Sequence, residues 1–187
     1  MKIIGAVGQN GSGKDEVLKY LKTTYNIPFL STGDIVREIA AKEKREPTRE
    51  NLGKISERYF HHFGRGYFVK ILAERLKQND WPIAGISGIR SLDDVMVLRD
   101  IFGTDFILIR VFLSNPRMRY ERMSHRGEER DPRSYEQFLV QEENEERLFR
   151  IREAEGYADF SLNNDFTLSD LHRQIDKLVR ENKLPVA

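Results

Sequence analysis

The chain alternates short, nearly continuous apolar runs with longer stretches in which apolar residues recur every three or four positions. Five runs read as strands, at 2–7, 27–30, 82–87, 105–113 and 158–162. The longest carries Phe106, Ile107, Leu108, Ile109, Val111, Phe112 and Leu113. Helical spacing is clear over 91–102, through Val95, Leu98 and Ile101, and over 168–179, through Leu171, Ile175 and Leu178. Unalternating runs joined by helices predict an α/β fold whose parallel sheet is covered on both faces. Ligands of such sheets collect at the carboxyl ends of the strands. Segments following the strands, including 31–37, 87–90 and the residues after Leu113, are therefore expected to converge on one cleft.

Two stretches exceed simple crossovers. Residues 33–80 are mostly helical and charged, and 116–157 are dense in Arg and Glu. Long excursions at the ligand edge of a sheet are expected to bind substrate or to close over it. With no internal repeat and no low-complexity linker, residues 1–187 are expected to form one domain.

Composition narrows this only slightly. A third of the chain is charged (33%), yet the net charge is +1, so no basic excess points to nucleic acid. The absence of cysteine removes disulfides and thiolate metal sites. No apolar stretch approaches the ~20 residues of a membrane span, and the first is too short for a secretory leader. A cytoplasmic protein without a membrane partner is the expectation; oligomeric state is left open.

The chemistry begins after the first strand, with Gly8-Gln9-Asn10-Gly11-Ser12-Gly13-Lys14-Asp15. This satisfies the first seven places of the phosphate-binding pattern G-x-x-x-x-G-K-[ST]. Glycines let successive backbone N–H groups turn inward, as Gly8, Asn10, Gly11, Ser12 and Gly13 are expected to do around phosphate oxygens. A helix follows at once, with Val17, Leu18, Leu21 and Tyr25 at helical spacing, and its amino end favours anions. Lys14 is expected to reach the terminal phosphates of ATP. A three-layer P-loop NTPase fold with a five-stranded parallel sheet follows. The eighth place holds Asp15 rather than the hydroxyl that normally meets magnesium.

Ser31-Thr32-Gly33-Asp34-Ile35-Val36-Arg37 follows the second strand. Thr32 or Asp34 is placed to cap a helix, and Arg37 falls in early turns that the helix dipole makes unfavourable for a cation, so an anion is expected to receive it. This stretch resembles the S-T-G-D-x-x-R motif of adenylate kinases and related nucleoside monophosphate kinases. The resemblance implies that Thr32 and Arg37, with Asp34 beside them, hold an acceptor monophosphate. Gly85-Ile86-Ser87-Gly88-Ile89-Arg90-Ser91 is similar to a second stretch of these kinases, and more closely to its version in dephospho-CoA-kinase-like proteins. Arg90 then inherits acceptor-phosphate binding, which suits the bidentate fork of guanidinium. Ser87 stands where the family has an acidic magnesium-positioning residue.

The run from Arg117 to Arg133 places Arg119, Arg122 and Arg126 on one helix face. It resembles the arginine lid of the same kinases, which implies catalytic roles for Arg122, Arg126 and Arg130 beside Lys14. Arg147 is the candidate for the final lid arginine. The stretch from Ala158 through Asn164 is similar to a dephospho-CoA kinase segment whose loop approaches adenine, which assigns Asn164 to ATP. His61 and His62 have no partner at metal-ligand spacing and are expected to be ordinary surface or core residues.

These resemblances span nearly the whole chain. They imply ATP- and Mg²⁺-dependent phosphoryl transfer to a small molecule, a nucleoside or deoxynucleoside monophosphate first and dephospho-CoA second. A P-loop ATPase acting as a switch, or a nucleotide binder without turnover, belongs to a different class. Asp15 and Ser87 form a reciprocal exchange: carboxylate on the P-loop, hydroxyl on the third strand. Both are expected to face one Mg²⁺, with capping of the P-loop helix as the alternative role of Asp15. A Gly-Lys-Asp ending also occurs in some phage deoxynucleotide kinases and animal phosphomevalonate kinases.

Overall fold

The computed structural model describes residues 1–128 and 131–185. Its centre is a five-stranded parallel sheet in the order β2-β3-β1-β4-β5, built from β1 (Lys2–Val7), β2 (Phe29–Ser31), β3 (Ile83–Ser87), β4 (Phe106–Phe112) and β5 (Phe160–Asn163). Strand β1 is central, and its alternate residues serve opposite faces. Ile3 and Val7 join Ile86 and Leu108 in one core, while Ile4 and Ala6 join Ile109 and Val111 in the other. The second core is closed by α1 (Lys14–Tyr25) and α9 (Leu168–Glu181), through Leu18, Leu21, Leu171 and Ile175. The first is covered by α2 (Thr32–Lys42), α3 (Arg49–Phe63), α4 (Tyr67–Lys77), α5 (Leu92–Phe102) and α8 (Ile151–Glu155). Three layers result, as the apolar pattern predicts.

Strand boundaries shift where an apolar residue serves a turn. The run at 27–30 begins its ladder only at Phe29, which pairs with Gly85. Ile27 instead folds back over the end of α1, its N–H donating to Leu21 O at 3.2 Å, after Asn26 adopts a left-handed conformation (φ 54). That is a helix-terminating turn in which the apolar residue covers the last helical turn. Asp105 belongs to a 3-10 turn, Gly103–Asp105, rather than to β4. Asp159 precedes β5 and spends its carboxylate on Leu108 N–H (2.8 Å) and Arg99 (2.9 Å).

The excursion after β2 is α2, α3 and α4. The excursion after β4 is α6 (Pro116–Arg126), α7 (Tyr135–Phe149) and α8. Both leave from carboxyl ends of strands and flank the same edge of the sheet. No helix among the described residues is long and apolar enough to cross a membrane.

On the far face, Tyr20 and Tyr25 of α1 both donate to Asp176 Oδ1 of α9, at 2.9 and 2.8 Å. Burial, and then the bond to Asp176, push the Tyr25 hydroxyl up to about 12. An unfolded tyrosine ionises near 10. The group therefore stabilises the fold below about pH 10, and that contribution is lost as pH rises toward 12. We expect Asp176→Asn to move the Tyr25 transition downward, followed as tyrosinate absorbance at 295 nm; an unmoved transition would contradict the pairing.

Candidate active site

The loop between β1 and α1 is shaped by two left-handed glycines, Gly11 (φ 75) and Gly13 (φ 97), a region that residues with a side chain rarely enter. Gly13 is the N-cap of α1 and supplies no side chain to its first N–H groups, so the positive end of the helix faces the loop without a side-chain cap. Lys14 lies 3.5 Å from Gln9 O. Desolvation lowers the pKa of its ammonium, Arg90 and Arg49 lower it further, and Asp15 and Glu145 oppose them. A partly desolvated cation at the amino end of a helix is suited to phosphate oxygens.

The loop is held from three sides. Asn164, buried at the end of β5, donates its amide to Ser12 O at 2.8 Å. Its side chain thus braces the P-loop itself. Arg119 of α6 is buried, ion-paired with Glu142 of α7, and reaches Asn10 O at 3.3 Å. It belongs to the scaffold under the loop, although it shares a helix face with Arg122 and Arg126. Ser12 Oγ is buried beneath the loop without a hydrogen-bond partner.

Asp15 accepts a hydrogen bond from Ser87 Oγ at 2.8 Å. The two exchanged residues therefore meet across the sheet edge. A carboxylate and a hydroxyl beside Lys14 form an oxygen donor set that fits Mg²⁺, which draws its other ligands from phosphates and water.

Opposite the loop, α2 starts differently from expectation. Its cap is Ser31, whose Oγ accepts from Gly33 N at 3.2 Å, because Ser31 keeps the extended backbone of β2 while Thr32 is already helical. Thr32 is thereby released to donate to Gly88 O at 3.0 Å. Gly88 is left-handed (φ 86), and a Cβ there would overlap Thr32 Oγ1, so the β2 and β3 exits interlock. Asp34 pairs with Arg37 at 2.6 Å. Arg90 lies over the Phe149 ring at 4.9 Å, with Nη1 3.6 Å from Glu145 Oε2. Its backbone is fixed by Asp94, whose carboxylate accepts from Arg90 N and Ser91 N at 3.0 Å each. Burial raises the Asp94 pKa, against those bonds.

Thr32, Arg37, Arg49, Arg90, Glu145 and Phe149 all line one cavity of about 410 Å³ between α2, α3 and α7. Arg49 and Glu145 are the residues that sequence motifs miss. Arg49 opens α3, far from any motif, and donates to Glu145. No local pattern in the sequence signals either of them.

On α6, Arg122 donates to Asn164 O at 3.0 Å, and burial lowers its pKa. Arg126 pairs with Asp131 (2.5 Å) and Glu128 (3.2 Å); the Asp131 bond raises its pKa, and Asp15 contributes to its field. Arg130 lies outside the described residues. Arg147 is exposed and sits 3.3 Å from Asn144 Oδ1. His61 and His62 are exposed on α3, and no group of metal-ligating side chains is present among the described residues at either.

Known proteins agree with this architecture. A model of the AAA domain family matches residues 7–138. A UPF0200 protein of Thermococcus onnurineus is 33% identical over 96% of this chain and 97% of its own length. A UPF0200 protein of Pyrococcus abyssi is 34% identical over 96% of each chain. Among solved structures, TT1252 from Thermus thermophilus superposes with a TM-score of 0.64 at 20% identity, covering 96% of this chain and 97% of its own. A gluconokinase from Sinorhizobium meliloti gives 0.59 at 16% identity, over 97% and 95%. A shikimate kinase from Acinetobacter baumannii gives 0.56 at 18%, over 98% and 96%. With its P-loop kinase-like fold, the chain belongs to the AAA domain family and to the UPF0200 proteins.

Proposed function

We propose that this protein transfers the terminal phosphoryl group of ATP to a small-molecule acceptor, a nucleoside or deoxynucleoside monophosphate first. The observation that carries this reading is that Asp15, next to Lys14 on the P-loop helix, is bonded at 2.8 Å by Ser87, whose neighbour Gly88 already lines the cavity that Arg37 and Arg90 share. A donor on the P-loop and an acceptor in the cavity would meet beside that bond. The phosphate-binding residues would be the loop N–H groups of Gly8 to Gly13 and Lys14. Thr32, Arg37 and Arg90 would hold the acceptor, with Asp34 keeping Arg37 in place.

Phosphoryl transfer needs alignment and charge neutralisation more than covalent help. Arg122 and Arg126 supply cations beside the loop; Arg130 is proposed with them on the motif alone. Closing over the reactants excludes water that would otherwise take the phosphoryl group. Asp15 and Ser87 would hold Mg²⁺, whose contribution is to neutralise charge on the terminal phosphates. A hydroxyl acceptor, with Asp34 as base, is the second reading. It is favoured by the carboxylates already facing the site arginines, Asp34 on Arg37 and Glu145 on Arg90. The gluconokinase and shikimate kinase that share the fold are named for acceptors that are not nucleotides.

The test is ADP release from ATP across nucleoside monophosphates, dephospho-CoA and hydroxy acids. One acceptor class should accelerate release about a hundredfold or more, and Lys14→Ala should abolish the acceleration. Release indifferent to every acceptor would favour a switch ATPase. For Asp15→Asn, the gain in ATP affinity on adding Mg²⁺ should shrink roughly tenfold. An unchanged gain would remove Asp15 from the metal site.

A further inference from the structure

Glu145 is a largely shielded carboxylate, its side chain 12% exposed, that lines the cavity and feels the charge of the P-loop lysine. One oxygen, Oε1, accepts from Arg49 Nη1. The other, Oε2, lies 3.6 Å from Arg90 Nη1 and, though buried, accepts no hydrogen bond among the described residues. Asn10 and the Lys14 charge, both on the P-loop, favour the ionised form of the same carboxylate. Burial alone would raise its pKa, yet Arg90, Arg49, Asn10 and Lys14 together hold it below the ordinary range, so it stays ionised.

Two guanidinium groups from different elements, α3 and the β3 exit, thus converge on one anion inside a cavity sized for a small molecule. To a guanidinium fork, a carboxylate and a phosphate offer the same charge and similar acceptor oxygens. The poorly bonded Oε2 marks the looser half of the arrangement, because a buried acceptor without a donor is costly to keep.

We infer that Glu145 is a specificity-determining residue of the acceptor site: its carboxylate fills the anion position between Arg49 and Arg90 until an acceptor's own anion displaces it. The inference rests on the reading of an anionic acceptor and makes Arg49 a further cation for that anion. A small anion without an organic body, free phosphate included, gains little by replacing a tethered carboxylate. A phosphate on a molecule that also covers the Phe60, Phe68 and Phe149 side of the cavity gains both charge and apolar contact. The site then selects acceptors that carry a phosphate and a flat or apolar body together, and it rejects free phosphate.

The test is calorimetric binding of nucleoside monophosphates and of inorganic phosphate, each alone, to the full chain. Wild type, Glu145→Gln, Glu145→Asp and Arg90→Gln are compared. Glu145→Gln should bind its best monophosphate about tenfold tighter, the scale of removing one like charge near the ligand, and should acquire measurable affinity for inorganic phosphate. Glu145→Asp keeps the charge but shortens its reach and should fall between; it decides the matter should Glu145→Gln fail to fold. Arg90→Gln should weaken monophosphate binding about tenfold. If Arg90→Gln weakens binding while neither Glu145 variant tightens it, the acceptor reading stands and the role of Glu145 falls. If neither monophosphate nor phosphate binds wild type or the Glu145 variants, both fall.

Discussion

A partly desolvated lysine ammonium at the start of α1 is the constraint that the rest of the site answers. Lys14 is pulled away from water by the loop that bends around it, and its pKa falls accordingly. Two carboxylates, Asp15 and Glu145, face it from different elements, and two arginines, Arg90 and Arg49, stand behind them. Attraction and repulsion meet in a small volume, with Glu145 largely shielded from solvent and Asp15 at the exposed edge. Such a balance is tolerable only while each side chain is fixed, which explains the amount of structure devoted to fixing them. Asp94 holds the Arg90 backbone, Ser87 holds Asp15, Asn164 holds Ser12 O, and Arg119 with Glu142 supports Asn10 O.

The donor half of this arrangement is legible in the sequence because it depends on backbone conformation. Gly11 and Gly13 are required by positive φ, and Lys14 by its place at the start of α1, so spacing alone reveals them. The pairing of Asp15 with Ser87 is also legible, since both sit at exits of neighbouring regions of one parallel sheet. The acceptor half is less so. Thr32 and Arg90 come with motifs, but the cap of α2 passes to Ser31, one residue earlier than expected, because β2 runs to the last residue before the helix. Arg49 and Glu145 are separated by 96 positions and meet only through the packing of α3 against the segment carrying α7. No local pattern encodes that meeting.

The lid arginines illustrate the same limit. Arg119, Arg122 and Arg126 look equivalent as positions on one helix, yet burial separates them. Arg119 is enclosed and spent on Glu142, Arg122 leans on the Asn164 carbonyl, and Arg126 is tied to Asp131. A helical wheel gives direction but not neighbours. The helices carrying these residues leave the sheet at the carboxyl edge, so the P-loop, the α2–α3–α7 cavity and the arginine helix share one side of the molecule.

The central claim is that the P-loop and the α2–α3–α7 cavity are two halves of a single site. A bisubstrate analogue, in which the phosphate chain of ATP is joined covalently to a nucleoside monophosphate, tests this most directly by calorimetry. One site predicts a dissociation constant at least about a hundredfold below that of ATP alone, because the second half binds without a second association cost. It also predicts that Lys14→Ala and Arg90→Gln each lose that advantage. An analogue that binds no more tightly than ATP, and is indifferent to Arg90→Gln, would contradict it.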